Sequence, residues 1–194
     1  MAGHLDLITK RIKESIELKS LLLKQNFLKK IEEISSILIF TIKNGGKIIF
    51  FGNGGSAADA QHLAAELLGK FKLEREPLPA VSLTTNTSLL TAISNDYSFD
   101  LVFSRQIKGV GNPKDLAFGI STSGNSKNVI LGIEMAKKIG MKTVALLGKD
   151  GGEIKNIVDY SIIVPSFDTA RIQEVHIMIG HILCEIVEKE LSND

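Results

Sequence analysis

The sequence predicts an α/β fold: a doubly wound, mainly parallel five-stranded sheet with helices on both faces, preceded by an N-terminal helical hairpin. Three observations carry this expectation. Five short apolar runs, at residues 47–51, 79–83, 115–120, 142–147 and 160–164, alternate with longer segments of helical periodicity. Runs such as Ile48-Ile49-Phe50-Phe51 are continuous rather than alternating, as in strands covered on both faces. Two of the runs also end in small-residue loops that open onto helix patterns, the strand–loop–helix unit of a parallel sheet. The 194 residues suit a single domain over 1–194, with helices in 1–44 and the α/β core in 45–194.

Taken in order, residues 5–23 form an amphipathic helix, with Leu7, Ile8, Ile12, Ile16 and Leu18 near helical spacing. A second helix, 26–42, carries Leu28, Ile31, Ile34, Leu38 and Ile42, and Asn44-Gly45-Gly46 ends it as a left-handed cap. Strand 47–51 leads to a helix at 56–68, and strand 79–83 to one at 87–94. A helix at 100–109 precedes strand 115–120, and another follows at 126–139. Strand 142–147 runs to the turn Asp150-Gly151-Gly152. Strand 160–164 stops at Pro165, and a long helix at 169–190 closes the chain.

A net charge of +1 leaves no electrostatic footprint for nucleic acid or an anionic membrane. No apolar run reaches the ~18–20 residues of a spanning helix, and the first residues lack the basic-then-apolar form of a secretory signal. The one cysteine, Cys184, sits in an apolar stretch and reads as a core thiol in a reducing cytoplasm.

The loops Gly52-Asn53-Gly54-Gly55-Ser56 and Ser121-Thr122-Ser123-Gly124-Asn125-Ser126 carry the chemistry. Free N–H groups and the positive end of a helix dipole converge behind each, which makes an anion site. Gly52-x-Gly54-x-x-Ala57 fits a relaxed dinucleotide pattern, but the following strand ends Ser82-Leu83-Thr84-Thr85 without the carboxylate a ribose needs. A nucleoside-triphosphate P-loop is absent as well. Main-chain donors with the hydroxyls of Ser121, Thr122, Ser123 and Ser126 suit a phosphate monoester that binds and leaves.

His62 and Glu66 stand at i, i+4 on the helix leaving the first loop, so their side chains share a face and can meet at one ion. The last helix presents Gln173, His176 and His181. Gln173 and His181 lie about 12 Å apart along one helix, so both reaching one ion would require two copies of it. The expectation is an oligomer with composite sites, a carboxylate from one protomer meeting an imidazole from its neighbour. Otherwise His181 is a structural histidine at a helix crossing beside Gly180.

Several separate motifs then resemble one family. Gly52 to His62, Leu83-Thr84-Thr85-Asn86-Thr87-Ser88 with Asn95-Asp96-Tyr97, Ser121 to Ser126, and Asp168 to Glu174 are similar to the bacterial phosphoheptose isomerases of the sugar-isomerase (SIS) fold, over about residues 10–190. The resemblance implies isomerisation of sedoheptulose 7-phosphate to D-glycero-D-manno-heptose 7-phosphate, the first step of bacterial heptose biosynthesis. It implies a homotetramer with sites at subunit interfaces. Substrate contacts would come from Asn53, Gly54, Gly55, Glu66, Asn95, Asp96, Ser121, Thr122, Ser123, Ser126 and Gln173. Zinc, one per subunit, would be held by His62, Glu66, Gln173 and His181, and Glu66 with His181 would form the acid–base pair. A glutamate held by zinc is a poorer base, so its two roles compete. One departure is Lys70, where members commonly carry arginine; lysine keeps the charge but loses the planar fork. Non-catalytic tetrameric scaffolds of this fold, such as the replication-initiator-associating protein, are the alternative. They lack the glutamate and distal histidine that this chain retains. A sugar-phosphate-sensing module of a regulator is a third reading, against which stands the lack of an attached basic segment.

Overall fold

The structure, a computed structural model, describes residues 2–192. Five strands form one parallel sheet: β1 (Ile48–Gly52), β2 (Ala80–Ser82), β3 (Leu116–Ser121), β4 (Lys142–Gly148) and β5 (Tyr160–Val164), in the order β2-β1-β3-β4-β5. The helices are α1 (Ala2–Ser20), α2 (Gln25–Lys43), α3 (Gly55–Leu68), α4 (Thr87–Asp96), α5 (Val102–Val110), α6 (Lys127–Lys138) and α7 (Thr169–Leu191). Short 3-10 turns follow α1 and precede α5. The expected strands all form; β2 is shorter than its apolar run, because Pro79 has no N–H to pair and serves only as an acceptor for Ile48.

The continuous apolar runs are explained by two cores, one on each face. Ile48, Phe50, Leu116, Phe118, Ile120, Val144, Leu146, Ile162 and Val164 point to the layer of α2, α3 and α7. Their neighbours Ile49, Phe51, Ala117, Ala145 and Leu147 point to the layer of α5 and α6. Burying one such strand side chain contributes roughly 1.5–3 kcal/mol, so both layers must close for these sequences to be strands. Gly45, at φ +75°, ends α2 as the Asn-Gly-Gly signal predicts. The helix α1 lies against α7 through a polar seam: Ser15 Oγ donates to Glu174 at 2.7 Å, and Arg171 Nη1 donates to the carbonyl of Arg11 at 2.8 Å.

The strand order sets where a ligand can sit. From β1 the chain crosses outward to β2, while from β3 it crosses the other way to β4, and β1 and β3 are hydrogen-bonded neighbours. The crevice at the carboxyl ends of β1 and β3 is therefore the topological switch point of the sheet.

Candidate active site

Both small-residue loops leave that switch point. Gly52 pairs with Ile120 across the sheet, so the loops emerge side by side. Gly54 turns the first loop with φ +55° and ψ −120°, a conformation strained for any L side chain. A Cβ on Gly52 would meet the Ile120 carbonyl at 2.7 Å and Ser56 Cβ at 2.9 Å, so β1 needs glycine here to approach β3 and α3. In the first turn of α3 the N–H groups of Ser56 and Ala57 donate to the carbonyls of Asn53 (2.9 Å) and Gly54 (3.0 Å), and the positive end of the helix dipole lies at the carboxyl end of β1.

In the second loop Ser121 Oγ accepts from the Gly124 N–H at 3.1 Å and lies 3.1 Å from Ser126 Oγ and 3.5 Å from Ser123 Oγ. Gly124, at φ +68°, presses on the Gly151 backbone, and Asn125 Oδ1 accepts from the Glu153 N–H at 2.8 Å. The turn at 150–154 thus braces a ring of hydroxyls. Asn53 and Asn128 exchange two amide hydrogen bonds, 2.7 and 2.9 Å, and so lock the first loop to the opening turn of α6. Sequence reasoning missed Asn128; its place as the second residue of the helix after the second loop was the available signal.

Eight residues into α3 begins the second cluster. His62 Nε2 lies 2.8 Å from Glu66 Oε1 and 3.3 Å from His181 Nε2, and the three ligand atoms lie within 4.8 Å of one another. The close approach of α7 to α3 makes this possible. Gly180 packs on Leu63, where a Cβ would come within 2.5 Å of Cδ2. The His181 ring meets His62 edge-on at 4.9 Å and stacks on Phe71 at 5.6 Å. One correction follows. Glu66 and His181 meet within one chain, because α3 and α7 pack with His62 and His181 level, so no neighbour is needed to unite them.

Gln173 does not join the trio. Its amide lies against Gly55, at the N-terminal end of α3, about 12 Å along α7 from His181. Asn95 and Asp96 close α4, exposed, and Asn95 Nδ2 donates to Asp96 at 2.9 Å. Lys70 is ion-paired with Glu74 on the surface at 2.8 Å.

The charge environment is informative at three buried groups. Burial pushes the Asp59 carboxyl up to about 6, partly offset by His62, and its Oδ2 has no partner among the described residues. Burial pushes His176 down to about 4, against the opposing pull of the Leu147 carbonyl, 3.0 Å from its Nε2. It is a neutral core histidine behind the site. Burial, with Glu66 nearby, pushes the Cys184 thiol up to about 12, which fits an inert core residue.

The trio fits a zinc ion. Two imidazole nitrogens at 3.3 Å and a carboxylate oxygen at 2.8 Å converge as three lone-pair donors, more than the protons between them satisfy. The nitrogen and oxygen set and the spacing match zinc ligands ~2.0–2.2 Å from a common centre.

The chain is similar to known proteins over most of its length. The family model of the SIS domain matches residues 13–148. The chain is 54% identical over 188 residues to the phosphoheptose isomerase of Clostridium acetobutylicum, covering 96% of each. It is 50% identical over 185 residues to that of Aquifex aeolicus, covering 95% of this chain and 96% of the other. Among solved structures, the phosphoheptose isomerase of Neisseria gonorrhoeae superposes with a TM-score of 0.90 at 42% identity, over 95% of this chain and 98% of that one. That of Francisella tularensis superposes with a TM-score of 0.92 at 36% identity, over 96% and 98%. With relatives about half identical over nearly the whole chain, the chain belongs to the phosphoheptose isomerase family of SIS-domain proteins.

Proposed function

We propose that the chain interconverts sedoheptulose 7-phosphate and D-glycero-D-manno-heptose 7-phosphate by aldose–ketose isomerisation. The observation that carries this is the meeting of Glu66 and His181 around His62, at one end of a helix whose other end is a phosphate loop. The helix geometry supplies the scale. From Gly55 to His62 is about 10 Å of axis. An extended seven-carbon chain with a terminal phosphate spans about the same length at ~1.2 Å per bond.

The phosphate rests on the N–H groups of Gly54 and Gly55 and the hydroxyls of Ser121, Thr122, Ser123 and Ser126, with Asn53 holding the loop and Gln173 turned to the sugar beside Gly55. Glu66 removes the C1 proton of the ketose to form a cis-enediol, its carboxyl exchanges that proton with solvent, and it delivers a proton to C2. His181 carries protons between O1 and O2, which imidazole can do near neutral pH. Zinc, when held by His62, Glu66 and His181, would polarise a substrate oxygen as a Lewis acid. A fourth ligand from Gln173 would have to come from another copy.

We further propose a cytoplasmic homotetramer with its sites at subunit interfaces. Leu5, Ile8, Ile12 and Ile16 form a stripe along α1, each more than half exposed. Asn95 and Asp96, exposed at the end of α4, would then contribute to the substrate site. Among the described residues no helix is long and apolar enough to cross a membrane. The reading is tested by incubating the purified chain with sedoheptulose 7-phosphate and following the anomeric signals by NMR. Appearance of the aldose supports it. An unchanged ketose, with the protein folded, favours the scaffold alternative.

A further inference from the structure

A buried ion pair lies just outside the residues assigned to binding and chemistry. Glu188, on α7, is 1% exposed, and its carboxylate accepts the N–H groups of Phe71 (3.0 Å), Lys72 (2.7 Å) and Leu73 (3.0 Å) and the Nε of Arg75 (3.1 Å). Arg75 directs its remaining nitrogens to four carbonyls: Glu66 (2.9 Å), Leu67 (2.9 Å), Gly69 (3.1 Å) and Glu76 (3.0 Å). Glu66 and Leu67 are in the last turn of α3, whose carbonyls have no intrahelical donor and carry the negative end of the dipole. The segment 69–75, which has no helix or strand of its own, is therefore wound around a carboxylate supplied by α7.

The two ends of this pair reach the two side chains assigned to the reaction. Arg75 grips the backbone of Glu66. Glu188 fixes the backbone of Phe71, whose ring stacks on His181 with 30° between planes. We propose that Glu188 and Arg75 are positioning residues: the strap they fold sets the placement of Glu66 and of the His181 ring. This rests on the isomerase reading of the site.

The chemistry of the pair suits such a task better than that of simple glue. A buried ion pair adds little stability over apolar packing of the same volume, whereas a guanidinium fork fixes several acceptors in one geometry. Burial pushes the Glu188 carboxyl up, but the N–H groups of Lys72, Phe71 and Leu73 and the Arg75 charge outweigh it, holding it below the usual carboxylate range. The strap's organising charge therefore persists at neutral pH.

The test uses Phe71→Leu, Glu188→Gln and their double variant in the full chain. Turnover of sedoheptulose 7-phosphate should fall about 10–100-fold in kcat, as for residues that orient ligands from behind. KM should stay within about twofold, because the strap carries none of the groups assigned to the phosphate. The double variant should be no worse than the worse single one, since both act through one element. A kcat unchanged in Phe71→Leu, or a loss confined to KM, overturns the proposal. Glu188→Gln leaves buried donors short of an acceptor; if it does not fold, Phe71→Leu decides alone. Side-chain NMR of the histidines gives an answer without substrate. The His181 ring signals should move in Phe71→Leu while those of buried His176 stay, and unmoved His181 signals contradict the proposal. Absent turnover in the unaltered chain would count against the isomerase reading alone, leaving the ring signals to decide.

Discussion

Gly54 turns the chain at φ +55° where β1 hands over to α3, and its carbonyl accepts the Ala57 N–H at 3.0 Å to open that helix. Gly54→Ala should cost about 1–3 kcal/mol, read as a lower Tm, and should raise KM more than it lowers kcat. His176 makes a prediction of a different kind. Its folded pKa of about 4 lies below the ordinary value of 6.5, so the folded state disfavours the proton. The stability tied to its neutral form is complete above pH 6.5 and is lost as pH falls toward 4. That loss is of the order of 3 kcal/mol. His176→Gln, which can still donate to the Leu147 carbonyl, should flatten this part of the stability–pH curve in urea titrations; a curve unchanged by the substitution would refute the assignment.

At the scale of elements, the site is the parallel packing of α3 on α7. Gly180→Ala should drive Leu63 and α7 apart, costing about 1–3 kcal/mol, and should lower zinc affinity by separating His181 from His62. Equilibrium titration against a competing chelator measures it. Much of this was legible in the sequence. Period and cap signals located the helices and strands, and i, i+4 spacing put His62 and Glu66 on one face. The family resemblance named His181 as the partner of that pair, but that it comes from the same chain was not legible, because spacing along α7 says nothing of how α7 is aligned to α3. Gln173 was assigned to the metal on family likeness, yet its level on α7 is that of Gly55. Glu188 sits in Glu185-Ile186-Val187-Glu188-Lys189-Glu190, which has the composition of a solvated helix end. Only the return of residues 69–75 over it makes it a buried hub, and that long-range contact leaves no local pattern.

For the whole molecule, the sheet order makes a single crevice, and the α1 stripe gives an apolar face that one chain does not cover. Replacing Ile8 and Ile12 together by glutamate should shift the protein toward smaller species in analytical ultracentrifugation, and should lower activity if neighbours complete the site. An assembly indifferent to these changes would place the interface elsewhere. Proton transfer by Glu66 with His181 is read out by turnover in deuterated water. The unaltered chain should place solvent deuterium at C2 of the aldose, whereas Glu66→Gln and His181→Gln, folded normally, should place none within the same time. Deuterium entering at the parent rate in either variant would contradict the account.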